Sequence, residues 1–194
     1  MIDVTFYFDP ACPWTWRASR WLTVVAETRS LSVAWRPMSL WVINDRSVDD
    51  AAKRAKLQAA HRWLRVVAAL AADGREADIA WLYTTTGELV HEHAAPWDDT
   101  LLGHVLEAAG LADLRPALDD ASLDTAVESS TEAALAAAGP GVGSPVLLLD
   151  GVERGFHGPV LGSIPDKAQS LALWEAVEGV APIDGFFELK RGRR

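Results

Sequence analysis

Val4-Thr5-Phe6-Tyr7-Phe8-Asp9-Pro10-Ala11-Cys12-Pro13-Trp14-Thr15-Trp16 is the stretch that decides the fold of this chain. Val4 to Phe8 are β-branched or aromatic, which suits a strand buried on both faces. Asp9-Pro10 interrupts that strand. Pro13 fits the first position of a helix, where its missing N–H costs nothing. Trp14, Trp21, Leu22 and Val25 fall at helical spacings, so the helix should run to about Thr28. Ser32-Val33-Ala34-Trp35-Arg36 alternates and ends at Pro37, a second strand. Strand, helix and strand over so short a span imply a parallel pair joined by a crossover helix.

Beyond this unit the pattern changes. Ser47-Val48-Asp49-Asp50 looks like a helix start, and the Ala-rich run to Ala72 places Leu57, Leu64, Val67, Ala68 and Ala71 on one face, with Gly74 closing it. Ile79–Tyr83, Trp97–Ala109 and Ser122–Ala138 read as further helices, separated by Gly87, Pro96, Gly110 and Pro116. Strands return at Val146-Leu147-Leu148-Leu149. Asp150-Gly151 then signals a two-residue hairpin with a returning strand over Val152–Phe156. Ile164-Pro165-Asp166 starts a last helix through Leu171, Trp174 and Val177. The order β-α-β, helical block, β-β-α predicts an α/β fold of thioredoxin type. Residues 1–46 and 139–194 form the thioredoxin-like domain, and residues 47–138 an all-helical insertion domain.

Cys12 is the only cysteine among 194 residues, so no intramolecular disulfide can form. It falls between a strand and a helix N-terminus, at the sheet edge where α/β folds place their sites. Unpaired first-turn N–H groups and the helix dipole favour an anion there, so its thiol is expected to titrate below the free value of about 8.5. Asp9 opposes this only if its carboxylate fails to turn to solvent. The other reading of a lone cysteine is a small buried hydrophobe.

The segment Phe8-Asp9-Pro10-Ala11-Cys12-Pro13-Trp14-Thr15-Trp16 resembles the active-site segment of the DsbA-like thioredoxin-fold family. It is most similar to the actinobacterial mycothiol-dependent nitroreductase branch. Ser19-Arg20-Trp21, Met38-Ser39-Leu40, Asn44, Gly143-Ser144-Pro145, Phe156-His157-Gly158-Pro159-Val160-Leu161, Ile164-Pro165 and Phe186-Phe187-Glu188-Leu189-Lys190 extend the resemblance along the chain. Where the family commonly carries C-P-W-C, this chain has Thr15 in place of the second cysteine. A dithiol cycle is therefore impossible within one chain. What remains is monothiol exchange, in which Cys12 forms a mixed disulfide that an external thiol resolves. The Thr15 hydroxyl can donate to the thiolate, or bond backbone as a first-turn residue does. Ser144-Pro145 resembles the cis-proline loop that faces the cysteine and pairs with an extended thiol ligand. By the same resemblance Pro13, Trp14, Trp16, Asn44 and His157 belong to the site; Trp14 and Trp16 flank it, and a flat aromatic at Trp14 can stack on a planar substrate. A bare Asn44 is equally a helix cap.

The resemblance implies mycothiol, or another low-molecular-weight thiol, as co-substrate, and a small disulfide or an electrophilic, nitro-bearing compound as substrate. Two alternatives stand beside this reading. One is a kappa-class-like thiol transferase or isomerase that activates a bound thiol; the other is a degenerate, non-catalytic thioredoxin-fold binding protein. The balance of 18 basic against 27 acidic residues gives a formal charge of −9, which disfavours nucleic acid as a partner, and the basic run Lys190-Arg191-Gly192-Arg193-Arg194 does not reverse it. No apolar run is long enough to span a bilayer, and no signal peptide precedes Val4, so a cytoplasmic protein is expected, as monomer or homodimer. His91-Glu92-His93 lacks the further ligands zinc needs, and no glycine-rich phosphate loop is present, so neither a metal nor a tightly bound nucleotide is expected.

Overall fold

Four strands and their flanking helices are set out by a computed structural model that describes residues 3–192. Met1, and Arg193 and Arg194 of the basic run, lie outside the described residues. β1 (Val4–Phe8) is one of the two inner strands of a sheet ordered β2-β1-β3-β4. It runs parallel to β2 (Val33–Pro37), with Phe6 opposite Trp35, and antiparallel to β3 (Val146–Leu149), with Phe6 opposite Leu147. Side chains alternate across a strand, so β1 serves two cores. Val4, Phe6 and Phe8 join the larger one with Trp21, Leu22, Trp63, Tyr83 and Trp174; Tyr7 joins Met38, Ala134 and Val146 on the other face.

α1 (Pro13–Arg29) begins on its proline and ends at Ser30, whose left-handed conformation (φ 57°) turns the chain toward β2. A short α2 (Leu40–Ile43) follows, capped by the Ser39 hydroxyl. α3 (Ala51–Ala72), capped by Asp50, is buried over most of its circumference rather than along one stripe. The cause is its position among α2, α4 (Glu76–Gly87), α5 (Asp99–Ala108) and α6 (Asp124–Ala138). Pro116 does not separate two elements as the sequence suggests; it lies inside a 3-10 helix, Ala112–Asp119. A further unforeseen feature is a π-helical turn at Glu88–Glu92, continuous with the end of α4.

The hairpin expectation is corrected. Asp150-Gly151 does form a turn, closed by Val152 N–H on the Leu149 carbonyl, but β4 is only Phe156–His157. Leu148 and Leu149 pair with β1 alone, and Gly155 donates its N–H to Ala137 of α6. The chain after the turn is thus drawn away from the ladder and returns two residues at a time. α7 (Lys167–Val180) starts with a reciprocal capping box between Asp166 and Gln169, and lays Trp174 against Trp21 of α1. Such a cap contributes about 1 kcal/mol.

Candidate active site

Cys12 is the residue that precedes α1, with extended backbone, and its carbonyl accepts the first helical bond from Trp16. The site is assembled from the β1–α1 loop and the loop before β3. Ser144-Pro145 is a cis peptide, as expected, and Pro145 is buried. The Cys12 sulfur lies 3.5 Å from the Ser144 carbonyl, to which its S–H donates. The Ser144 side chain is equally engaged: its Oγ accepts the Asp9 N–H at 2.9 Å and lies 2.8 Å from Thr15 Oγ1. Ser144 therefore offers a ligand its backbone and not its hydroxyl.

The expected acidity of Cys12 is corrected. Burial raises its pKa, and the neighbouring Asp9 charge adds to that effect. The Thr15 hydroxyl and the N–H groups of Thr15 and Trp14 oppose the rise without overcoming it. The helix terminus is there, but Cys12 is only 6% exposed, and loss of hydration outweighs the dipole. Asp9 does not turn to solvent either. Fully buried, it accepts Ala11 N–H at 2.8 Å and Leu40 N–H at 2.7 Å, so it clamps the Cys12 loop to α2. Burial pushes its pKa up to about 6 in spite of those two bonds and of Lys56.

The other expected site residues divide. Pro13 is exposed, and Trp14 is half-buried with the Arg17 guanidinium 5.0 Å over its ring. Arg17 also donates to the Leu161 carbonyl, so it is a structured rim residue and not part of a solvated face. His157 is exposed on β4 beside Gly143, next to the cis-proline. Trp16 is corrected: it is buried at 3% exposure, packed between Tyr83, His91 and the Arg20 guanidinium, and presents no surface to a ligand. Asn44 takes its capping role, with Nδ2 donating to the Leu40 carbonyl at the end of α2.

Two residues near the site are not assigned to it by the sequence, in which His91 stands only as part of a candidate metal motif. His91, on the π-helical turn, stacks on Trp16 and bonds the Pro10 carbonyl through Nε2 at 2.9 Å. Burial lowers its pKa to about 4, so it is neutral at pH 7 and donates that bond. His61 bridges Ser39 and Asp124, joining α2, α3 and α6 behind the Asp9 clamp. Among the described residues no group of three His, Cys, Asp or Glu side chains is placed to hold a metal ion, and no helix is long and apolar enough to cross a membrane.

A family model described as Rv2466c-like, mycothiol-dependent nitroreductase Rv2466c, matches residues 11–191. The chain is 31% identical over 196 residues to the protein called "Uncharacterized protein Rv2286c" of Mycobacterium tuberculosis, across 98% of this chain and 82% of that one. Among solved structures, a 2-hydroxychromene-2-carboxylate isomerase matches with a TM-score of 0.62 at 20% identity, over 93% of this chain and 96% of that chain. The cytosolic disulfide reductase DsbM from Pseudomonas aeruginosa, with GSH, matches with a TM-score of 0.56 at 17% identity, over 91% and 98%. At these identities the structural likeness establishes the DsbA-like thioredoxin fold.

Proposed function

The chain belongs to the Rv2466c-like family of mycothiol-dependent nitroreductases, and on that premise we propose that it works as a monothiol oxidoreductase through Cys12. As a member it is a thiol-dependent oxidoreductase; the monothiol cycle is our reading. One juxtaposition carries it: a lone cysteine at a helix start, its sulfur against the Ser144 carbonyl beside cis Pro145, with Thr15 where a resolving thiol would stand.

Deprotonated Cys12 attacks one sulfur of a disulfide. The Cys12–sulfur bond forms, the old S–S bond breaks, and the other half leaves as a thiolate. A second thiol then attacks the mixed disulfide and returns Cys12 as thiolate, so the one external thiol and the half that Cys12 had captured leave as a new disulfide, and the half released first carries off the electrons as a thiol. Mycothiol is the thiol substrate we assign, and a disulfide or an electrophilic nitro compound the oxidant. Once the S–H is lost in the mixed disulfide, the Ser144 carbonyl is released to accept an amide N–H of the ligand, as strand addition requires. Trp14, Arg17 and His157 border the ligand's approach. The setting we infer is intracellular, where such a thiol pool operates.

The raised Cys12 pKa favours a second reading, in which the protonated thiol donates to a bound thiolate and is never oxidised, as in kappa-class-like transferases. Intact-mass analysis after exposure to mycothiol disulfide decides between them. A one-thiol adduct that reduced mycothiol removes, and that Cys12→Ser does not form, supports the cycle. Turnover without an adduct supports the second reading. Neither adduct nor turnover leaves a binding protein.

A further inference from the structure

The hydroxyls of Ser144 and Thr15 are bonded to each other beside Cys12, and the direction of that bond follows from counting donors. Ser144 Oγ accepts the Asp9 N–H at 2.9 Å and stands 2.8 Å from Thr15 Oγ1. Ser144 is 5% exposed and Thr15 0%, so neither hydroxyl proton can go to bulk water. Among the described hydrogen bonds neither hydroxyl has a further partner. If Thr15 donated to Ser144, the Ser144 proton would be left buried without an acceptor. If Ser144 donates to Thr15, the Thr15 proton is free to turn to the sulfur, and the Thr15 side chain does lower the Cys12 pKa against the effect of burial.

We propose that Ser144 is a positioning residue: anchored by the Asp9 N–H, it turns the Thr15 hydroxyl toward Cys12, so that the residue standing in place of a resolving thiol supplies a hydrogen bond to the thiolate. This assigns the Ser144 side chain a role other than ligand binding and makes the two loops of the site act as one unit. It rests on Cys12 being the reacting thiol. Other ionisable groups bearing on the sulfur are Asp9 from the β1–α1 loop and Tyr83 from α4; Lys56 of α3 acts on Asp9, and His91 holds Pro10. None of them is changed by the substitutions below.

The test is a pH titration of the Cys12 thiolate by ultraviolet absorbance, with Cys12→Ser as blank; it reads acidity whether or not an adduct forms, so this inference and the proposed cycle fail separately. Thr15→Val should raise the midpoint by about one pH unit, a tenfold loss of thiolate at fixed pH. Ser144→Ala should raise it by roughly half as much, and Thr15→Ser should keep the parent midpoint, because the hydroxyl is retained. The decisive result is the double variant, which should titrate with Thr15→Val alone, since Ser144 acts only through Thr15. Additive shifts, or an unmoved midpoint in Ser144→Ala, overturn the proposal. Ser144→Gly replaces Ser144→Ala if the latter does not fold.

Discussion

Replacing Asp9 by Asn probes the clamp beneath the active-site cysteine. In the folded chain the carboxylate is wholly buried and its pKa is raised to about 6 from a usual 3.8. Folding therefore favours the protonated form, and the group's stabilising contribution is complete below pH 3.8 and lost as pH rises through 6. A shift of about two units at 1.36 kcal/mol each makes this roughly 3 kcal/mol. His91 pulls the other way over a similar window. Its pKa is lowered from 6.5 to about 4, so its contribution is present above pH 6.5 and lost as pH falls through 4. His61 and Asp124, both lowered, act in the same sense as His91. The parent's own pH dependence therefore mixes these opposing groups, and only the difference between variant and parent isolates Asp9. Asn can accept from Ala11 or Leu40 but sets its NH2 against the other N–H, at a cost of about 1–3 kcal/mol. Urea unfolding should show Asp9→Asn clearly less stable than the parent at pH 4. At pH 7 the gap should close or reverse as the buried charge is removed. A gap of constant size from pH 4 to pH 7 would refute the assignment of Asp9 as the proton-binding group.

Three further outcomes follow from the packing. Thr15→Cys places a thiol one helical turn from Cys12, and mild oxidation should give an internal disulfide, seen in intact mass as the loss of two hydrogens; persistent free thiols would mean the motif does not sit as described. Gly87→Ala would drive a methyl group into the Trp16 ring, and thermal unfolding should show a loss of about 1–3 kcal/mol or more, since the buried indole has nowhere to move. His61→Leu cuts the Ser39–His61–Asp124 bridge and leaves the Ser39 hydroxyl and one Asp124 contact behind, costing about 1–3 kcal/mol in urea; an unchanged midpoint would mean that the bridge adds nothing to the joint of α2, α3 and α6.

The sheet's first half was legible because its signals are local. Val4–Phe8 reads as a buried strand from composition, Pro13 marks a helix start by its chemistry, and Cys12 lies between them by necessity. The later hairpin was less legible. Asp150-Gly151 is a sound turn signal, yet whether the chain after a turn rejoins the ladder depends on competing acceptors, and here Ala137 of α6 takes the Gly155 N–H. Trp16 was misplaced for a related reason: a tryptophan beside a reactive cysteine reads alike whether it faces the ligand or the core. Only the approach of Gly87, Tyr83 and His91 settles which.

By itself the sequence determined that one thiol is available, that Thr15 removes any internal partner for it, and that the thiol stands at a helix start beside a Ser-Pro loop. Tertiary structure decided the electrostatics of that thiol. A helix terminus is a property of a few consecutive residues, so its pull toward the anion can be read from a motif. Desolvation is set by every atom that displaces water, and the closing of the Ser144 loop, α2 and α3 over the β1–α1 loop is long-range. That burial raises the Cys12 thiol, holds Asp9 beneath it at a pKa of about 6, and leaves the Ser144 and Thr15 hydroxyls to answer to each other.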